Sequence, residues 1–295
     1  MSNPLPLDDW GGSGPVLHFA HANGFPPAAY RKLIEVLKTR YHVVSLRTRC
    51  LVPGMTPDEV RGWEDLADDL IISLRAHGLK GIIGVGHSMG SVCTLLAHLA
   101  SPGLFRSLVA LDPVLFTGGR AWALRTAKLL GQSGRIPPAS LARRRREYWS
   151  SREEVAESYR RKPLFQRWDA ESFQDYLTHG FTETPEGGVR LTISKAWEVR
   201  LFETSPHGMW QQLRTLSVPT LVLRAEDSDT LSRAAFRRIQ RTIPGVRTEE
   251  LPDTGHLFPL EKPELCGQRI LEFLSSESGA LQGVERNEVA APAPL

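Results

Sequence analysis

The pentapeptide Gly86-His87-Ser88-Met89-Gly90 is the segment whose residue types and spacing best suit covalent chemistry. It follows the apolar run 82–85 and precedes an apolar, helix-like segment that begins at Val92. A serine in such a tight strand-to-helix turn adopts a strained backbone conformation, and its hydroxyl then projects from the sheet edge. Glycines two residues before and after Ser88 remove the side chains that would collide in so close a turn. The pattern predicts a nucleophilic serine; the alternative is an ordinary Gly/Ser-rich turn.

A base and an acid are needed beside such a serine, because a serine hydroxyl is a weak nucleophile at neutral pH. The base must lie within hydrogen-bond distance of the hydroxyl, and the acid must orient the base. Among the nine histidines, His256 is the best candidate for the base, since it lies in a loop just beyond a predicted strand. From that loop its ring can reach the carboxyl edge of a sheet.

Three aspartates compete for the role of the acid. Asp229 is the preferred candidate, because it lies in the loop that follows the predicted strand 218–224. Asp227, in the same loop, is the second choice. Asp112 is the third, at the end of the predicted strand 104–111, which follows the helix-like segment after Ser88. Its alternative role is to end that strand and cap the next segment.

Main-chain N–H groups must stabilise the oxyanion that forms when a serine attacks a carbonyl group, and losing one donor typically costs about 3 kcal/mol of barrier. One donor is expected from Met89, directly after the nucleophile. The second is expected from the loop 21–27, where Asn23 and Gly24 permit the unusual dihedral angles that turn an N–H group inward.

Short apolar runs alternate with helical patterns over the first 115 residues, which is typical of a parallel sheet with crossover helices. The predicted strands there are Val16–Ala20, His42–Leu46, 82–85 and 104–111, and the predicted helices are 28–38 and 63–75. The same pattern resumes after residue 217, with strands 218–224 and Arg247–Leu251 and helices 232–242 and 263–274. The sequence therefore predicts an α/β fold with a mostly parallel, twisted sheet flanked by helices.

Residues 116–216 show helical rather than strand patterning and separate the two parts of the predicted core, 1–115 and 217–275. We interpret them as a helical cap insertion. It contains five of the seven tryptophans, whose rings either roof an apolar pocket or form the core of the insertion itself: Trp122, Trp149, Trp168, Trp197 and Trp210. Residues 276–295 are poor in large apolar side chains, and we expect them to form a disordered tail.

The composition is that of a globular protein, with 295 residues of which 41% are hydrophobic and 23% are charged. A net charge of +3 is too small to indicate a nucleic-acid partner. The four consecutive arginines at 143–146 are interpreted as a solvated helix face, with binding of a phosphate, an acid or a protein partner as the alternatives.

Three cysteines, Cys50, Cys93 and Cys266, lack the spacing of a disulfide framework or a zinc site, so no metal is expected. The N-terminal residues do not form a signal peptide, and no apolar run is long enough to span a membrane. We therefore expect a cytoplasmic location.

With Ser88, an aspartate and His256 in this chain order, the sequence resembles the α/β-hydrolase superfamily from about residue 16 to residue 274. The resemblance implies a cap between the sixth and seventh strands of the usual numbering. It also implies Ser88 as nucleophile, Asp229 as acid, His256 as base, and Met89 and Asn23 as oxyanion donors, with Phe25 as the alternative to Asn23. Two departures stand out: Ala22 follows His21 where many members have glycine, and Ala225 replaces the glycine of the acid loop.

The expected activity is hydrolysis of a small to medium carboxylic ester, or a related acyl substrate, through an acyl-enzyme without metal or organic cofactor. Serine at the elbow argues against epoxide hydrolases and dehalogenases, which resemble this family but use aspartate there. The alternatives are a carbon-carbon bond hydrolase, a lactonase, a cofactor-free haloperoxidase or a non-catalytic ligand-binding protein. The expected partner is a small molecule with an apolar group, and the sequence predicts no oligomeric state.

Overall fold

The computed structural model describes residues 3–287, and its first part alternates strands and helices as the sequence predicts. This part contains β1 (Leu7–Gly11), β2 (Val16–Ala20), α1 (Arg31–Lys38), β3 (His42–Leu46), α2 (Trp63–Ala76), β4 (Ile82–His87), α3 (Met89–Ala100) and β5 (Phe105–Leu111). The inserted middle part contains α4 (Gly118–Leu129), α5 (Ala139–Arg143), β6 (Tyr148–Trp149), α6 (Arg152–Arg160), α7 (Pro163–Gln166), α8 (Ala170–His179), β7 (Phe181–Glu183), β8 (Val189–Leu191) and α9 (Lys195–Glu203). The last part contains β9 (Thr220–Ala225), α10 (Arg233–Thr242), β10 (Arg247–Leu251), α11 (Phe258–Glu261) and α12 (Pro263–Asn287).

Seven strands form the main sheet, in the order β1-β3-β2-β4-β5-β9-β10. All neighbouring pairs are parallel except β1 and β3, which run antiparallel with Leu7 opposite Leu46. The edge strand β1 was not predicted, because its sequence LDDWG lacks an apolar alternation. The α/β fold class is confirmed.

Helices cover both faces of this sheet, and successive side chains of its central strands point to opposite apolar clusters. On one face Val109 and Leu111 of β5 join a cluster with residues of α1 and α12. On the other face Leu108 and Ala110 join a cluster with residues of α2 and α3. Burial on both faces explains why the central strands read as continuous apolar runs. Because β4, β5 and β9 are parallel neighbours, their carboxyl ends lie side by side.

The insertion between β5 and β9 is mainly helical, but it also contains a small antiparallel sheet in the order β6-β8-β7. Sequence patterning missed this sheet because strands of two or three residues are too short to show alternation. Four of the five tryptophans of the insertion are buried within the two apolar clusters: Trp149, Trp168, Trp197 and Trp210. Trp122 is 71% exposed.

The final helix α12 extends beyond the predicted end at residue 274 and continues to Asn287. Alanine, leucine and glutamine, which occur at 280–282, have good helix propensity, a signal that the search for large apolar residues did not use. Of the expected disordered tail 276–295, residues 288–295 lie outside the described residues. Within 3–287, no helix combines the length and the apolar character that crossing a membrane requires.

Candidate active site

Ser88 lies at the turn between β4 and α3, with φ 55° and ψ −114°. A positive φ is strained for a residue other than glycine and aims the side chain away from the sheet. A Cβ atom at Gly86 would lie 2.5 Å from the carbonyl carbon of Gly90. A Cβ atom at Gly90 would lie 2.6 Å from the carbonyl carbon of Ala20 at the end of β2. Both glycines are therefore required for this close packing of β2, β4 and α3.

The imidazole of His256 lies between the hydroxyl of Ser88 and the carboxyl group of Asp112. His256 Nε2 is 3.0 Å from Ser88 Oγ, and His256 Nδ1 is 2.6 Å from Asp112 Oδ2. The histidine side chain is 20% exposed and the aspartate side chain is fully buried. This is the geometry in which a carboxylate orients an imidazole and the imidazole accepts the serine proton.

Asp112 immediately follows β5 and has a φ of 43°, a conformation that aspartate tolerates better than most residues. Its Oδ1 accepts the N–H of Ala225 (3.1 Å), and its Oδ2 accepts the hydroxyl of Ser228 (2.5 Å). The end of β9 and the loop after it thus supply two donors to the Asp112 side chain. These hydrogen bonds compensate for its burial.

The preferred candidate Asp229 is not the aspartate that the structure places beside His256: among the described residues no hydrogen bond joins His256 to Asp229 or Asp227, and Asp112, the third candidate, occupies that position. Asp229 is exposed, and its Oδ1 accepts the hydroxyl of Thr230 (3.1 Å). Asp227 is also exposed and forms an ion pair with Arg167 (2.9 Å). The loop after β9 turns so that Ser228, between the two aspartates, is the residue that points inward.

His87, which the sequence analysis did not single out, holds the loop of His256 in place. Its Nε2 donates to the main-chain oxygen of His256 (2.9 Å), and its Nδ1 accepts the hydroxyl of Tyr30 (2.8 Å). Burial holds the pKa of His87 well below its usual value, so the ring is neutral and has one donor and one acceptor. A histidine between Gly86 and Ser88 gives no pattern from which this role could be read.

Met89 and Asn23, the two expected oxyanion donors, are buried beside Ser88 and line the same pocket. Met89 is the first residue of α3, where the helix itself supplies no acceptor for the N–H group. Asn23 follows β2 by three residues, and its side-chain amide donates to the main-chain oxygen of Glu198 (3.0 Å). The N–H of Phe25, the alternative donor, is already bonded to the carbonyl oxygen of Ala22 (3.2 Å). The geometry therefore favours Asn23 over Phe25.

The pocket above Ser88 is mostly apolar and is closed by residues from both the core and the insertion. Its apolar wall includes Phe25, Trp63, Val114, Phe116, Phe202 and Leu257. Of the tryptophans, only Trp63 of α2 lines this pocket among the described residues. The buried tryptophans of the insertion thus contribute to cores, while Phe116 and Phe202 are the aromatic residues of the insertion that line the pocket.

Three of the four arginines at 143–146 are exposed, as expected of a solvated face, whereas Arg145 turns inward. Arg143 pairs with Glu203, Arg145 pairs with the buried Glu198, and Arg146 pairs with Glu154.

Within the described part of the chain, no group of three or more His, Cys, Asp or Glu side chains is arranged to hold a metal ion.

Comparison with known proteins agrees with this architecture. The profile of the alpha/beta hydrolase family matches residues 19–268. A 2-(acetamidomethylene)succinate hydrolase from Mesorhizobium japonicum is 24% identical over 282 residues, which cover 90% of each protein.

Two solved structures share the fold. An E-2-(acetamidomethylene)succinate hydrolase aligns with a TM-score of 0.76 and 22% identity, covering 92% of this chain and 95% of that chain. A malate-bound thermophilic esterase from Thermogutta terrifontis aligns with a TM-score of 0.65 and 22% identity, covering 92% and 93%. Since the family profile covers most of its length, this chain belongs to the alpha/beta hydrolase family.

Proposed function

We propose that this protein is a serine hydrolase that cleaves a carboxylic ester or a related acyl substrate through an acyl-enzyme. The observation that carries the proposal is the hydrogen-bonded series Ser88–His256–Asp112, which opens onto an apolar pocket. Ser88 is the nucleophile, His256 the base and Asp112 the acid. This assignment replaces Asp229 as the expected acid.

The reaction proceeds in two halves. Ser88 Oγ bonds to the carbonyl carbon while His256 Nε2 accepts the hydroxyl proton, and that proton then passes to the departing alcohol. In the second half His256 takes a proton from water, whose oxygen attacks the acyl carbon. The acid product leaves as Ser88 Oγ regains its proton.

The N–H groups of Met89 and Asn23 bind the carbonyl oxygen as it gains negative charge. Donors that are already fixed before the reaction stabilise the transition state more than mobile water does. Met89 is fixed by α3, and Asn23 by its side-chain hydrogen bond to Glu198.

Replacement of Ser88 by alanine tests the proposal with p-nitrophenyl acetate and butyrate as substrates. Turnover is expected to fall to the rate without enzyme. Ser205→Ala is the matched control, because Ser205 lines the same pocket and its hydroxyl donates to the main-chain oxygen of Phe202 (3.0 Å). Turnover that survives in Ser88→Ala would refute the proposal.

A second candidate concerns the substrate, which we propose carries a carboxylate in addition to its acyl group. Arg120 of α4 lines the pocket and donates to the main-chain oxygen of Asp229 (2.6 Å), and no ion pair of Arg120 occurs among the described residues. A guanidinium with free donors suits a planar carboxylate. The name of the Mesorhizobium japonicum relative, a hydrolase of 2-(acetamidomethylene)succinate, supports such a substrate.

Monomethyl glutarate and methyl valerate, which have equal chain length, test this candidate. In Arg120→Gln the kcat/KM for monomethyl glutarate relative to that for methyl valerate is expected to fall by up to about fivefold, because Arg120 is exposed and an exposed ion pair contributes at most about 1 kcal/mol. Arg125→Gln is the control, since Arg125 lies on the same helix but does not line the pocket. An unchanged ratio in Arg120→Gln would exclude the carboxylate site.

A further inference from the structure

A buried ion pair of the insertion lies directly behind the loop that carries Asn23. Arg145, two residues after α5, donates through Nη1 to the carboxylate of Glu198 on α9. Their side chains are 19% and 6% exposed. Arg145 Nη2 also donates to the hydroxyls of Tyr159 (3.0 Å) and Tyr176 (2.7 Å). The guanidinium thus joins three helices of the insertion.

The ion pair and its partner Tyr176 together contact three consecutive residues of the loop after β2: Asn23, Gly24 and Phe25. The main-chain oxygen of Glu198 accepts the side-chain amide of Asn23 (3.0 Å). The Glu198 carboxylate lies against Gly24, where a Cβ atom would come within 3.2 Å of its Cδ atom. The ring of Phe25 packs 5.2 Å from that of Tyr176.

Stability alone does not account for a charged pair in this position. Burial raises the pKa of Glu198, and the nearby Arg145 opposes that rise. Removing two charges from water costs so much that well-packed apolar residues often stabilise a protein equally well. A charged pair does, however, fix the direction of its hydrogen bonds, which an apolar contact cannot do.

We propose that the Arg145–Glu198 pair is a positioning device for the oxyanion donor, holding the loop 22–25 so that the N–H of Asn23 faces the substrate carbonyl oxygen. The inference rests on the proposed function. It makes the insertion a part of the catalytic apparatus, because the loop that carries the main-chain donor of the core is held by Glu198 and the side chains packed around it in the insertion.

The test compares two ion pairs of the insertion. Glu198→Gln keeps the size of the side chain and the main-chain oxygen that binds Asn23, but loses the charge opposite Arg145. We expect kcat for p-nitrophenyl butyrate to fall about 10- to 100-fold with little change in KM, since loss of a whole donor typically costs about 100- to 1,000-fold. Arg145→Lys should recover part of the activity that Arg145→Met loses.

The matched control is the neighbouring pair Arg143–Glu203, which is more exposed, at 57% and 17%, and whose arginine also donates to the main-chain oxygen of Gly134. Arg143→Met and Glu203→Gln should leave kcat within about twofold, as is usual for exposed pairs. Tyr176→Phe is a milder variant that removes one partner of Arg145 without changing a charge. If Glu198→Gln fails to fold, Tyr176→Phe replaces it in the test and should lower kcat several-fold.

A transition-state analogue separates positioning from a general loss of structure. Affinity for a trifluoromethyl ketone, which forms an oxyanion on Ser88, should fall by the same factor as kcat/KM in Glu198→Gln. If Glu198→Gln has a lowered melting temperature but unchanged kcat and unchanged ketone affinity, the inference is overturned while the proposed function stands. If the wild-type protein shows no Ser88-dependent turnover, the proposed function fails and the inference falls with it.

Discussion

The ends of β5 and β9 are neighbours at the same edge of the sheet and both are followed by aspartates, but these aspartates differ in burial and in hydrogen-bond partners. Asp112, after β5, is fully buried and accepts hydrogen bonds from Ala225, Ser228 and His256. Asp229, after β9, is exposed, and within the described residues its carboxylate bonds only the neighbouring Thr230.

The difference shows that a position at the correct sheet edge is not enough to identify the acid that we propose. The acid must lie beneath the imidazole, on the side of Nδ1 that faces away from Ser88, and it must be held there. Asp112 has this buried position because it follows β5, the strand beside β4. The loop after β9 contributes the donors that hold the carboxylate, and in this sense the two regions together form one acid site.

Of the substitutions at these two strand ends, Asp112→Asn is expected to lower kcat the most. Asparagine keeps the shape of the side chain but cannot stabilise the imidazolium in the same way, and such a change has cost about 10,000-fold in kcat in another serine hydrolase. Steady-state hydrolysis of p-nitrophenyl butyrate measures the loss. A fall of less than about tenfold would show that another acid acts, since general base function alone contributes about 100-fold or more.

A smaller effect is expected from Ser228→Ala, which removes the donor 2.5 Å from Asp112 Oδ2. The same hydroxyl accepts the N–H groups of Thr230 (3.2 Å) and Leu231 (2.8 Å). A hydrogen bond to a charged group contributes about 1.5–3 kcal/mol, so the free energy of unfolding should fall by at least about 1.5 kcal/mol. The kcat value should fall by about tenfold, because Asp112 is held less firmly. Urea denaturation and steady-state kinetics check the two effects, and Ser140→Ala, at a half-buried serine of α5, serves as the control.

The smallest effects are expected from Asp229→Asn and Asp227→Asn. Both carboxylates are exposed, and neither bonds to His256 among the described residues. The value of kcat should stay within about twofold, and loss of the Asp227–Arg167 pair should cost less than about 1 kcal/mol of stability. A loss of activity in Asp229→Asn comparable with that in Asp112→Asn would reverse the comparison.

Much of the core could be predicted from the sequence, because each strand and helix has its own local pattern. The strands Val16–Ala20, His42–Leu46 and Arg247–Leu251 have the predicted bounds. The turn at Ser88 was predicted because its glycines and its apolar flanks are adjacent in the chain. These signals are all local.

The acid and the insertion could not be resolved in this way, because they depend on contacts between distant residues. Asp112 lies 144 residues from His256, and Arg145 lies 53 residues from Glu198. A run of four arginines predicts a solvated face, but the partners of Arg143 and Arg145 come from segments that no local pattern connects to them. The same holds for Ser228, whose role appears only when β9 lies beside β5.

The most direct test of the central claim is labelling with a fluorophosphonate, followed by mass spectrometry to identify the modified residue. We predict one adduct, on Ser88, which forms rapidly in the wild-type protein and in Asp229→Asn but far more slowly in Asp112→Asn. An adduct on another residue, or slower labelling of Asp229→Asn than of Asp112→Asn, would contradict the assignment of Ser88, His256 and Asp112.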